Sequence, residues 1–137
     1  MKKIIILLLS ITLLSCSKNN TSPSNDSWIG TYKYVSSNSS DTHYAGSFGY
    51  DIKITNESSF TIPPSGFNQY IQTQSVTFNI SGTSASSQGF QIMDHWTYNG
   101  GTCARSGNKI TFTYSITVVN PDGTTRANPH YTDIYQK

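Results

Sequence analysis

The sequence predicts an all-β domain in which antiparallel strands, in meander order, close into a barrel of seven or eight strands. Short runs of alternating apolar and polar residues are separated by turn-forming residues, and no long window has a helical period. The chain is also rich in Ser, Thr, Asn and Gly and has nine tyrosines, which favours sheet over helix. Closure removes exposed strand edges. A β-sandwich is the alternative, because short alternating strands fit either architecture.

The clearest strand is Lys109–Val119, where large apolar residues alternate with Thr and Ser. This pattern predicts one buried and one solvated face. The residues Asn120–Gly123 predict a tight turn, because proline presets one turn position and glycine accepts a positive φ. We therefore expect Thr124–Tyr135 to pair with Ile110–Val119 as a hairpin.

Six further segments show weaker or shorter strand patterns. They are Ile29–Val35, the run through Phe48, Tyr50, Ile52 and Ile54, Ser59–Ile62, Val76–Ile80, Gly89–Tyr98 and a short strand at Thr102–Arg105. The bulkiest side chains expected to point inward are Phe48, Tyr50, Ile52, Phe78, Phe112 and Tyr114. An eight-stranded barrel is just wide enough for its own side chains to fill, so these residues decide whether a cavity remains.

The N-terminus resembles a bacterial lipoprotein signal. Lys2 and Lys3 precede an apolar run that is too short to span a membrane, and the run ends in Leu-Leu-Ser-Cys at Cys16. This ending resembles the lipobox, which implies cleavage after residues 1–15 and acylation of Cys16. Because Ser17 is not the aspartate that retains some lipoproteins at the inner membrane, we expect a lipid-anchored protein of the cell envelope at the outer membrane.

Past the signal, residues 16–27 are rich in Ser and Asn and predict a flexible tether, and residues 28–137 predict one domain. The net charge of +2 at pH 7 comes wholly from Lys2 and Lys3, since the rest of the chain has equal numbers of basic and acidic residues. No surplus positive charge remains for phosphates, so we exclude nucleic acid as a partner.

Two segments resemble the calycins, the group of lipocalins and intracellular fatty-acid-binding proteins. Trp28–Ser37 is similar to their opening strand and Tyr131–Lys137 to their closing strand. The whole chain also resembles small lipocalin-like lipoproteins of Bacteroidetes. The resemblance implies that first and last strands close the barrel, and that the partner is a small apolar or amphipathic ligand. A filled barrel that serves as a structural or interaction module for an envelope protein is the alternative.

The closing strand departs from the fatty-acid-binding pattern. Those proteins hold the ligand carboxylate with an Arg-x-Tyr pair. When Tyr135 is matched to that tyrosine, Asp133 stands where the arginine would be. A carboxylate at this position would repel a fatty acid, so a neutral or cationic ligand is expected instead.

A second acidic residue, Asp94, shares a face of the predicted strand Gly89–Tyr98 with Trp96 and other apolar side chains. It is either a buried polar anchor for a ligand or is turned outward by a bulge. The predicted ligand-binding residues are Asp94, Trp96, Tyr114, Asp133 and Tyr135.

We expect no enzyme activity, cofactor or metal. The three histidines, His43, His95 and His130, match no compact metal motif, and the chain has no Gly-x-Ser-x-Gly elbow. If Cys16 is acylated, Cys103 has no intrachain partner, and we expect it to be a buried, inert thiol.

Overall fold

The computed structural model describes residues 26–44, 49–64, 66, 68–71 and 73–137. Its elements are β1 (Gly30–Ser39), a 3-10 turn (Thr42–Tyr44), β2 (Ile52–Ile54), β3 (Ser59–Ile62), β4 (Val76–Ser81), β5 (Ser84–Ser87), β6 (Phe90–Met93), β7 (Trp96–Ser106), β8 (Lys109–Val119), β9 (Thr125–Ala127) and β10 (His130–Gln136). The predicted signal peptide, Cys16, Phe48 and nearly all of the predicted tether lie outside the described residues. In the described part of the chain, no helix is long and apolar enough to cross a membrane.

Antiparallel ladders join eight strands in the order β2-β1-β10-β8-β7-β5-β4-β3, while β6 pairs with β7 and β9 with β8. The two end strands, β2 and β3, are consecutive in the chain and approach each other. No ladder joins them within the described residues. The domain is therefore an antiparallel barrel that is nearly closed, which confirms the predicted fold class and is consistent with a calycin-like fold. We call the unpaired boundary between β2 and β3 the seam.

The first and last strands pair as predicted. Tyr34 lies opposite Tyr135, and Ser37 lies opposite Asp133. A β-bulge at Val35 shifts the register between these two pairs, and the bulged side chain is 54% exposed. Closure at this point places Asp133 and Tyr135 on the inner face of the barrel.

Aromatic side chains fill the middle of the barrel. The rings of Phe60 and Phe78 stack with centroids 5.2 Å apart, and Phe112 meets Phe78 edge-on at 5.1 Å. Tyr135 continues the series, with its ring 5.5 Å from that of Phe112. Edge-to-face and offset pairs of this kind add to the free energy gained from burial alone. The interior expected for a ligand is thus occupied by the protein's own rings along this series.

The lower end of the barrel, where β1 begins, is closed by Trp28. Its indole N–H donates a hydrogen bond to the Gly82 carbonyl at 2.8 Å, and its backbone N–H donates to the Glu57 carboxylate at 3.0 Å. The Arg105 guanidinium lies 5.7 Å from the centroid of the Trp28 ring. Trp28 is only 2% exposed, and its contacts come from the β2–β3 loop, the β4–β5 turn and β7, so its ring covers this end of the barrel.

The upper end is covered by the connection between β3 and β4. Ile71 from this connection is 1% exposed, and Tyr70 stacks on Trp96 with centroids 5.1 Å apart. The Thr73 hydroxyl donates to the Ile92 carbonyl at 3.0 Å. The barrel is therefore closed by side chains at both ends.

Three sequence predictions need correction. The strand predicted at Gly89–Tyr98 is two strands, β6 and the start of β7, separated by a turn at Asp94 and His95. Tyr50 was expected to point inward, but it precedes β2 and is 55% exposed. The strand β5 was not predicted, because Ala85 is its one buried residue and supplies too little apolar pattern.

Candidate functional site

The interior polar cluster, formed by Ser37, Asn68, Tyr114 and Asp133, brings two predicted site residues together. The Tyr114 hydroxyl donates to one oxygen of Asp133 at 2.9 Å, and the Ser37 hydroxyl donates to the other oxygen. The Asn68 amide in turn donates to the Tyr114 oxygen at 2.9 Å. These bonds link β1, β8 and β10 to the connection that covers the upper end.

Burial governs the ionisation of this cluster. Asp133 is 0% exposed, and burial raises the pKa of its carboxyl, although the hydrogen bonds from Ser37 and Tyr114 lower it again in part. Burial and the neighbouring carboxylate hold the pKa of Tyr114 well above its usual range. The polar side-chain groups of the cluster form hydrogen bonds with one another. This geometry is typical of a structural network in the core and not of a ligand-binding surface.

The remaining predicted site residues are not part of this cluster. Tyr135 is fully buried among aromatic rings. Trp96 lies half-buried at the upper rim against Tyr70, and Asp94 is exposed in the turn between β6 and β7. Asp94 is therefore not a buried anchor, and the alternative of an outward-turned side chain is correct. The physical reason is the turn itself, which ends the strand alternation on which the inward placement depended.

The groups considered for catalysis or metal binding are dispersed. All three histidines are exposed: His43 lies in the 3-10 turn, His95 in the turn between β6 and β7, and His130 at the start of β10. In the described ranges, no group of three or more His, Cys, Asp or Glu residues could hold a metal ion. Cys103 is fully buried, and burial strongly raises the pKa of its thiol, so the reactive thiolate is disfavoured.

A groove of about 460 Å³ opens along the seam. We call it the seam groove. One wall is formed by the residues that lead into and form β2, and the other by the end of β3 and the start of the β3–β4 connection. The lining residues are Tyr50, Asp51, Ile52, Lys53, Thr61, Ile62, Pro63, Pro64 and Gly66.

The groove has an apolar base and a mixed rim. Ile52 and Ile62 are 4% and 2% exposed and belong to the core, whereas Asp51 and Lys53 are exposed. Tyr50 adds a large aromatic surface at the upper end of the groove. Apolar lining with a few polar groups is typical of sites that bind small molecules.

Sequence reasoning missed the seam groove. The alternation through Tyr50, Ile52 and Ile54 predicted a longer strand, which would have paired with its neighbour and left no gap. The pair Pro63-Pro64 predicts the end of β3, because proline cannot donate to a ladder, but it does not predict which strands pair.

No family model, curated protein or solved structure matches this chain.

Proposed function

We propose that the protein is a non-enzymatic, lipocalin-like binding module, anchored by lipid in the bacterial cell envelope, which takes a small amphipathic molecule in the seam groove. The observation that carries the proposal is the contrast between the two candidate sites. The barrel interior holds packed aromatic rings, whereas the groove is open to solvent and has an apolar base.

The size and lining of the groove support a small ligand. A volume of about 460 Å³ lies within the range of roughly 300–1,000 Å³ that is usual for such sites. Tyr50, Pro63 and Pro64 offer rigid apolar surface, which a ligand can cover at little cost in side-chain entropy. The interior site that the calycin resemblance implied is thus replaced by one at the barrel wall.

The test is a titration with the fluorescent apolar probe N-phenyl-1-naphthylamine. We expect the parent protein to bind the probe and Tyr50→Ala to weaken binding by about threefold or more, because the variant removes an aromatic wall. Met93→Ala is the matched control, since Met93 is a similarly exposed apolar residue (47%) that does not line the groove. Equal loss in both variants, or none in either, would overturn the assignment of the site.

The lipid anchor is tested separately. Cys16→Ala should abolish metabolic labelling with a radioactive fatty acid and leave the precursor uncut before residue 16, because the acceptor thiol is gone. Cys103→Ala is the control, since this thiol is buried in the domain and should not affect labelling. A Cys16→Ala protein that still carries the label would contradict the proposed anchor.

The second candidate is an interaction module with a filled core and no small ligand. It is favoured by the packed rings and by the edges of β2 and β3, which no ladder joins within the described part of the chain, since open edges can pair with an added strand. Absence of probe binding by the parent protein would select this alternative.

A further inference from the structure

Two opposite charges lie on the β2 wall of the seam groove. Asp51 and Lys53 both line it and are both exposed. Neither side chain makes an ion pair or hydrogen bond with another described residue. Because they stand two positions apart along β2 and the residue before it, they project to the same side, with about 7 Å between their positions.

This arrangement discriminates among ligand charges. An anion in the groove would be attracted by Lys53 but repelled by the Asp51 carboxylate. A cation would be attracted by Asp51 but repelled by Lys53. A ligand with one positive and one negative group can satisfy both side chains with charge-assisted hydrogen bonds. Its net charge of zero also spares it long-range repulsion from either residue.

The rest of the groove favours a ligand that also has an apolar part. The buried residues Ile52 and Ile62 form its base, and Tyr50 and Pro63 also line it. A free zwitterion without an apolar part would leave this surface exposed to water, at a cost of roughly 25 cal/mol for each Å² left uncovered.

We propose that the ligand of the seam groove is a zwitterionic amphiphile, whose positive group pairs with Asp51, whose negative group pairs with Lys53, and whose apolar part covers Ile52, Ile62 and Tyr50. This inference rests on the proposed function, because it names the ligand class of the same site.

Four surfactants with the same twelve-carbon tail separate the head-group contribution from the apolar one. They are dodecyl sulfobetaine (zwitterionic), dodecyl sulfate (anionic), dodecyltrimethylammonium (cationic) and dodecyl maltoside (neutral), each used below its micelle concentration to displace N-phenyl-1-naphthylamine. We expect the sulfobetaine to displace the probe at about a two- to fivefold lower concentration than the others, which is the effect of exposed charge pairs. High salt, near 1 M, should reduce the preference.

The variants assign the preference to particular residues. Asp51→Asn should weaken the sulfobetaine and improve dodecyl sulfate, whereas Lys53→Gln should weaken the sulfobetaine and improve dodecyltrimethylammonium. The matched controls are Asp94→Asn and Lys109→Gln, which change exposed residues that do not line the groove. Both controls should keep the order of the parent protein.

The outcomes separate the inference from the function on which it rests. If none of the four surfactants displaces the probe, the proposed function fails as well. If all four compete equally, or if Asp51→Asn and Lys53→Gln leave the order unchanged, the groove binds amphiphiles but the zwitterion inference is wrong. A tail-free sulfobetaine that competes as well as the dodecyl compound would identify the ligand as a free zwitterion and would also overturn the proposal.

Discussion

At the scale of single residues, burial of the Asp133 carboxyl disfavours its ionised form. It is fully buried, and its pKa is raised above the ordinary value for aspartate, mainly by that burial. The folded protein therefore binds a proton at this carboxyl more tightly than the unfolded chain does. The ionised carboxyl therefore lowers the free energy of unfolding. This loss of stability is complete above the folded-state pKa, decreases as the pH falls through that pKa, and is absent below the pKa of the unfolded chain.

Asp133→Asn should remove this pH dependence, because the amide keeps the shape of the carboxyl but does not titrate. We expect the free energy of unfolding of the parent to rise relative to that of Asp133→Asn as the pH is lowered from neutral towards 4. Urea unfolding of both proteins across this range measures the difference. A difference that is flat, or that changes in the opposite direction, would contradict the raised pKa.

Asp133→Ala supplies the complementary measurement at a single pH. It leaves the hydroxyls of Ser37 and Tyr114 without their acceptor. Loss of a buried acceptor should cost about 2 kcal/mol or more. We therefore expect Asp133→Ala to be less stable than Asp133→Asn.

His95 is the second unusual residue. It is the one non-glycine residue with a positive φ (67°) among the described residues, and it stands in the tight turn between β6 and β7. This conformation costs an L-residue about 1–2 kcal/mol, and glycine avoids that cost while losing about 0.5–1 kcal/mol of chain entropy.

His95→Gly should therefore stabilise the domain by about 0.5–1 kcal/mol. Thermal unfolding is the measurement, and His95→Ala, which keeps the strained conformation, is the control that should not gain stability. If His95→Gly is less stable than the parent, the histidine side chain has a stabilising role that outweighs the strain.

At the scale of elements, the strand β10 holds the barrel together. It pairs with β1 on one side and β8 on the other. It also contributes Tyr131, Asp133 and Tyr135, each 0% exposed, to the interior. Burial of the Tyr131 and Tyr135 rings alone contributes several kcal/mol to the free energy of unfolding. This is a large part of the roughly 5–15 kcal/mol that is typical of a domain.

Deletion of residues 131–137 should abolish cooperative unfolding, because it exposes the edges of β1 and β8 together with the apolar interior. Circular dichroism during heating measures this. Thr132→Ala, on the exposed face of the same strand, should behave like the parent. A truncated protein with a cooperative transition near that of the parent would contradict the role of β10 in closure.

The sequence predicted those elements whose two faces differ in polarity. Strand β8 was predicted with its observed bounds, Lys109–Val119, because five large apolar residues alternate with hydroxyl residues along it. The pairing of first and last strands was also predicted correctly. Strand β5 lacks such contrast and was not predicted. Asp94 was placed inward because the two-residue turn at Asp94 and His95 contains no glycine that would indicate a break in the strand.

The candidate site was less accessible to sequence reasoning. Tyr114, Asp133 and Tyr135 were expected inside the barrel and are buried there. The sequence did not predict that the Tyr114 hydroxyl and the Asp133 carboxyl bond to each other, or that Tyr135 packs among rings, instead of facing a cavity. These contacts depend on which side chains meet across the interior. The seam exists because no ladder joins β2 and β3 in the residues that the structure describes. Single-strand patterns carry no information about pairing partners.

At the scale of the whole molecule, the two ends differ in what closes them. At the lower end, beside Trp28, the Lys137 ammonium donates a hydrogen bond to the Ser27 carbonyl at 2.6 Å. The seam groove lies along the wall, next to the connection that covers the upper end.

The proposed binding site lies at the barrel wall and not in the interior. The most direct test is a titration of the ¹⁵N-labelled domain with dodecyl sulfobetaine, followed by amide chemical shifts. We expect the largest changes between Tyr50 and Lys53 and between Thr61 and Gly66, with the amides of Tyr114 and Asp133 unchanged. Changes centred instead on the inward-facing residues of β8 and β10 would contradict the claim and would place the ligand inside the barrel.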